Sequence, residues 1–80
     1  MTHYSGITTD LATRKATHKR TKEGFRNWKV ANNGQPFPSR EEAQDWEDEQ
    51  PGEHHQGGKD ADGDWYGYSF DYGVRLVIKT

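Results

Sequence analysis

Eighty residues suffice for one domain, and a chain of this length buries only about 60% of the surface that its unfolded form exposes. With 29% hydrophobic residues and no cysteine, a large aliphatic core, a disulfide framework and a thiolate zinc site are excluded, so three Trp, four Tyr and three Phe must supply much of the buried area. The net charge of −2 hides a division: residues 1–40 carry eight basic and two acidic groups, residues 41–80 three basic and eleven acidic ones, which points to a charged partner or to attraction between the halves.

Residues 1–23 are rich in Thr and basic groups, and Ile7 and Leu11 are their only aliphatics larger than Ala after Met1. No period dominates there. His3 to Thr9 suits an edge strand, and Asp10 suits the cap of a short helix through Leu11, Ala12 and Ala16 that Thr13 and Thr17 weaken. The segment is expected to be solvated and partly mobile, and it carries one basic cluster, Arg14, Lys15, Lys19, Arg20 and Lys22.

Residues 24–31 read as a strand with Arg26, Trp28 and Val30 on one side, and Asn32, Asn33 and Gly34 make a turn that leads into a helix. Ser39 followed three residues on by Glu42 is a capping box, and Pro51 with Gly52 ends the helix it opens. At about 100° per residue, Ala43, Trp46 and Gln50 fall on one side of that helix and Glu41, Asp45 and Asp48 on the other. Phe37, just before the cap, is expected near Ala43 or Trp46.

Residues 51–64 contain little that is apolar and read as a polar loop. From Trp65, Tyr66, Tyr68 and Phe70 alternate against Trp65, Gly67 and Ser69 as a strand. Asp71, Tyr72 and Gly73 then suit a hairpin loop, and residues 74–79 a second strand. The expected architecture is a single α+β domain over residues 1–80, a small antiparallel sheet with one main helix packed on one face.

Little in the chain carries chemistry. Asp60, Asp62, Asp64 and Asp71 occupy positions 1, 3, 5 and 12 of a calcium loop, but Trp65 stands where that loop needs Gly, and a strand follows instead of a helix. His54 and His55 are adjacent and lack the spacing of a zinc pair. No nucleophile elbow, phosphate loop or dinucleotide fingerprint is present. A non-catalytic protein is expected, with no metal, cofactor or small-molecule substrate.

Trp65 and Tyr66 suit a protein interface, since Tyr and Trp are enriched at binding hot spots. The acidic residues are harder to explain by folding. Glu47, Asp48 and Glu49 stand in the last helical turn, where the helix dipole prefers cations. Together with Asp62 and Asp64, the helix carboxylates Glu41, Asp45, Asp48 and Glu49 suit a basic partner; a solubilising face balanced by the basic half is the other reading.

The combination of a strand ending in Asn32, Asn33 and Gly34, a capped acidic helix and an aromatic C-terminal hairpin, in one small cysteine-free domain, looks like small phage and prophage proteins. It is similar in size, charge and architecture to anti-CRISPR proteins that inhibit multisubunit type I complexes. The resemblance implies a monomeric inhibitor, acting in the bacterial cytoplasm, that blocks the target-DNA surface of a CRISPR effector subunit. The alternative is a small nucleic-acid-binding protein using Arg14, Lys15, Lys19, Arg20 and Lys22 on phosphates. A self-associating virion component is a third possibility. No run approaches the roughly 20 apolar residues of a membrane span, and the start lacks the apolar segment of a secretory signal.

Overall fold

A computed structural model describes residues 2–54 and 63–73. Its elements are β1 (Thr2–Thr8), α1 (Leu11–Thr21), β2 (Arg26–Val30), α2 (Arg40–Glu49), β3 (Glu53–His54) and β4 (Tyr66–Tyr72). The strands form one mixed sheet in the order β2-β4-β1-β3. β4 runs antiparallel to both its neighbours, and β3 lies parallel to β1. The class is α+β, as the alternating ring pattern and the capped helix led us to expect.

The pairing of β1 with β4 sets Tyr4 opposite Phe70, Gly6 opposite Tyr68 and Ile7 opposite Gly67. Because side chains alternate along a strand, Tyr4, Tyr68, Phe70 and Tyr72 share one face of the sheet, while Ser5, Ile7 and Gly67 share the other. On the first face Phe70 is fully buried and Tyr68 is 1% exposed. The centroid of Phe70 lies 5.0 Å from Tyr4, 4.7 Å from His18 and 4.9 Å from Phe25. Burying one such ring contributes about 1.5–3 kcal/mol, and favourable ring pairs add to that.

α1 covers this face. Asp10 caps it, accepting from the Thr13 N–H at 3.1 Å and the Thr13 hydroxyl at 2.7 Å. Leu11, Lys15, His18 and Lys22 follow the helical repeat and meet the sheet. His18 packs 4.9 Å from the Tyr4 ring, with its Nε2 2.9 Å from the Tyr68 hydroxyl. Lys15 Nζ lies 5.8 Å from the Trp28 ring centroid, and Lys22 Nζ lies 5.7 Å from Tyr4 and 5.3 Å from Tyr72. The helix is thus attached largely by cation–π and ring contacts, each worth roughly 0.5–1 kcal/mol where solvent reaches it. Burial keeps the Tyr4 hydroxyl neutral, with the nearby Glu47 charge acting in the same direction, and its pKa is pushed up to about 12.

α2 covers the opposite face, where Ile7, Ala43 and Trp65 are buried and Phe37 and Trp46 pack against them. Phe37 meets Trp46 at 5.9 Å between centroids, as expected from its place before the cap. The domain is therefore three layers, helix, sheet, helix: the Asp10-capped helix that the sequence offered is formed, runs to Thr21 and covers a second face beyond the one assigned to the main helix.

Several local expectations change. The sheet is mixed and not antiparallel throughout, because β3 forms within residues expected as polar loop and lies parallel to β1, and the bulge at Asn27 places Arg26 opposite Asp71, on the other side of the sheet from Trp28 and Val30. β1 lies inside the sheet between β4 and β3, because the apolar side chains Tyr4 and Ile7 are needed on opposite faces at its centre. Residues 1–23, in which no period dominates, contain β1 and the whole of α1. Asp71 and Tyr72 continue β4 instead of turning, since Asp71 pairs with His3 on one side and Arg26 on the other. The expected second hairpin strand, residues 74–79, lies outside the described residues, and over its described length β4 is already bonded on both edges. The turn at Asn32, Asn33 and Gly34 is found, with positive φ of 56°, 55° and 82° and a 3.1 Å bond from the Gly34 N–H to the Ala31 carbonyl.

A glycine makes room for a ring on each face. A Cβ at Gly6 would stand 2.7 Å from Tyr68 Cζ, and one at Gly67 would stand 2.7 Å from the Trp46 ring. Gly6→Ala and Gly67→Ala should each lower stability by about 1–3 kcal/mol through overpacking, read as a reduced urea midpoint with unchanged slope. Wild-type midpoints for both variants would show that the rings do not press on these positions.

Candidate functional site

Ser39 accepts from the Glu42 N–H through its Oγ at 3.2 Å and starts α2, and Gln50 with the positive-φ Gly52 ends it. Glu41 and Glu42 stand in the first turn, where carboxylates suit the positive end of the helix dipole. Ala43 is fully buried, and Trp46 and Gln50 are half-buried on the same side, as the helical period requires. Glu41, Asp45, Asp48 and Glu49 are all exposed on the opposite side. With the 1.5 Å rise of a helix they extend over about 12 Å of surface. Within Arg40–Glu49 six residues are acidic and one is basic, and the last turn holds no cation.

Glu47, expected on the acidic surface, is instead 1% exposed and belongs to the buried side of α2. It falls one helical repeat after Ala43, so periodicity carried the signal, although its charge argued otherwise. Gln44 Nε2 donates to Glu47 Oε1 at 3.0 Å and to Asp48 Oδ1 at 3.1 Å, joining the buried carboxylate to the exposed one.

The remaining residues of the expected binding set divide. Asp64 is exposed, whereas Asp62 lies outside the described residues. Trp65 is 9% exposed and belongs to the core under α2, where the Arg40 guanidinium lies 5.3 Å from its ring. It is therefore a packing residue and not an exposed anchor. Tyr66 is half-buried and opposes Thr8, so it stands on the α1 side of the sheet, away from the α2 carboxylates. The coherent acidic surface is Glu41, Asp45, Asp48 and Glu49.

The basic cluster becomes a defined surface as well. Arg14, Lys15, Lys19 and Arg20 are exposed and Lys22 is half-buried, and Leu11–Thr21 contains no carboxylate. α1 and α2 lie on opposite faces of the sheet, so the attraction expected between the two halves does not bring their charged helices together.

The calcium-loop spacing loses its geometry at Asp71. Asp71 sits in β4, where Asn27 Nδ2 donates to its Oδ2 at 2.9 Å and His3 Nδ1 lies 2.8 Å from its Oδ1, so it is not a loop ligand beside Asp64. Asp60, Asp62 and His55 lie outside the described residues, and His54 Nε2 is bonded to the Gln50 carbonyl. Among the described residues no group of three His, Cys, Asp or Glu is placed to hold a metal ion, and no helix is long and apolar enough to cross a membrane.

Asp71 ties β1, β2 and β4 at one end of the sheet. The bond from Asn27, and then that from His3, hold its carboxyl below the ordinary carboxylate range. A carboxyl depressed in the folded state stabilises the fold above its ordinary value of about 4, and that contribution is lost as pH falls through the depressed value. Asp71→Asn should therefore be less stable than wild type at neutral pH, with the difference shrinking in acid. Equal differences in urea midpoint at both pH values would show that the ionised carboxylate is not what binds the strands. Comparison of the chain with family models, with curated proteins and with solved structures gives no match.

Proposed function

We propose that this chain is a non-catalytic, inhibitory binding module, in the style of phage anti-CRISPR proteins. In this reading its α2 carboxylates dock on a Lys/Arg-rich surface that a protein machine uses to hold nucleic acid, with a type I CRISPR effector subunit as the partner.

The observation that carries this reading is the exposed set Glu41, Asp45, Asp48 and Glu49 on one side of a helix whose last turn lacks any cation. Folding gains from it only the fit of Glu41 to the first turn and the Gln44 bond to Asp48. Glu41 with Asp45, and Asp45 with Glu49, are like charges one helical repeat apart, each pair costing about 0.2–0.5 kcal/mol, and Asp48 and Glu49 oppose the dipole. A basic partner reverses every one of these terms. Clustered carboxylates would raise the rate of encounter with such a surface and reject nucleic acid itself, so charge supplies specificity more than affinity.

Reversing the charges separates function from stability. Asp45→Lys with Asp48→Lys should fold with a melting temperature equal to or slightly above that of wild type, because the like-charge pairs disappear and the last turn gains a cation. The same variant should no longer retain a type I surveillance complex in a nuclease-treated pull-down. Full retention by the folded variant would remove the α2 face from the proposal, and failure of the wild-type protein to retain the complex would remove that partner.

A further inference from the structure

We propose that the flank of α1 facing β2 is a binding surface for single-stranded nucleic acid, with Lys15 and Lys19 meeting phosphates and Trp28 and Phe25 meeting bases. This surface is on the face of the sheet opposite α2 and does not depend on the acidic reading.

The charge on α1 is of one sign. Arg14, Lys15, Lys19 and Arg20 are exposed on α1, and the nearest carboxylates in sequence lie beyond its ends. Asp10 is engaged by Thr13 at one end, and Glu23 follows Lys22 at the other. The contact of Lys15 with Trp28, at 5.8 Å, identifies the flank of the helix that faces β2. Lys19, one helical repeat on, extends that flank.

The second component is aromatic. Among the described residues β2 is an edge strand, and the positive φ of 57° at Asn27, where its register with β4 shifts, brings Phe25 and Trp28 together 5.9 Å apart. Both rings are half-buried, and Trp28 stacks on Tyr68 at 4.9 Å with an interplanar angle of 18°. Cations bordering half-exposed rings are the arrangement that holds a single strand, whose bases are free to stack while its backbone follows the charge. Paired bases inside a duplex cannot reach rings recessed between a helix and a sheet edge. A base arriving at Trp28 competes with the Lys15 ammonium, which is then released to the adjoining phosphate.

The test is fluorescence anisotropy of the full chain with a labelled oligothymidylate of about 12 nucleotides, and with a duplex of equal length, at about 50 mM salt. The single strand should bind roughly tenfold more tightly than the duplex. Lys15→Glu with Lys19→Glu should weaken single-strand binding by roughly tenfold or more, and the salt dependence should become shallower by about 0.7 in log–log slope for each lysine lost. Trp28→Phe, which keeps a ring in the stack, should lower affinity several-fold with the circular dichroism of wild type. The α2 variant Asp45→Lys with Asp48→Lys should retain the preference for the single strand, which separates this proposal from the acidic reading. Absence of binding, equal affinity for the duplex, or full affinity in the Lys15/Lys19 variant would overturn it. Displacement of the oligonucleotide by polyglutamate as effectively as by unlabelled single strand would assign the surface to an acidic peptide instead.

Discussion

Phe70 is the ring on which the structure closes. It is fully buried, and the rings of Tyr4, His18, Phe25, Trp28, Tyr68 and Tyr72 surround it with centroids between 4.7 and 6.3 Å away. Those neighbours come from β1, α1, β2 and β4, together with Phe25 from the turn before β2. A chain with few aliphatics thereby gains one contact centre in which each ring buries area for several elements at once. A domain of this size has total stability of only some 0.05–0.15 kcal/mol per residue, so the fold depends on this cluster staying intact.

The second face works differently. Ile7, Ala43 and Trp65 are closed over by Phe37 and Trp46, and α2 can approach because Gly67 leaves room for the Trp46 ring. Only one side of α2 is used for packing, and the other is given over to carboxylates. α1 likewise uses a narrow stripe on the sheet and leaves its remaining cations outward. The sheet thus separates two charged helices of opposite sign, and neither neutralises the other across the core. Each surface keeps its charge exposed to solvent.

Charge on α2 also bears on what the fold was built for. A helix selected for stability places acids in its first turn and bases in its last. α2 satisfies the first condition with Glu41 and Glu42 and violates the second with Asp48 and Glu49. The buried Glu47, joined to Asp48 through Gln44, continues the same bias into the interior. Departures from local rules that serve no packing purpose are the places where a binding role is to be sought.

Much of the architecture was legible in the sequence where short-range physics governs it. The Ser39 cap, the side of α2 carrying Ala43 and Trp46, the turn at Asn32 to Gly34 and the alternation from Tyr66 to Phe70 all rest on contacts within a few residues, and each is found. The exposed set Glu41, Asp45, Asp48 and Glu49 follows from the same helical period. What tertiary structure alone decided involves partners distant in the chain. α1 showed no apolar period because its inward positions after Leu11 are Lys15, His18 and Lys22, which hold to the sheet through aromatic rings supplied by β1, β2 and β4. Hydropathy does not register that kind of attachment. The interior place of β1, the continuation of Asp71 and Tyr72 in β4, and the core position of Trp65 depend on which strands become neighbours, a long-range choice made by closing the ring cluster around Phe70.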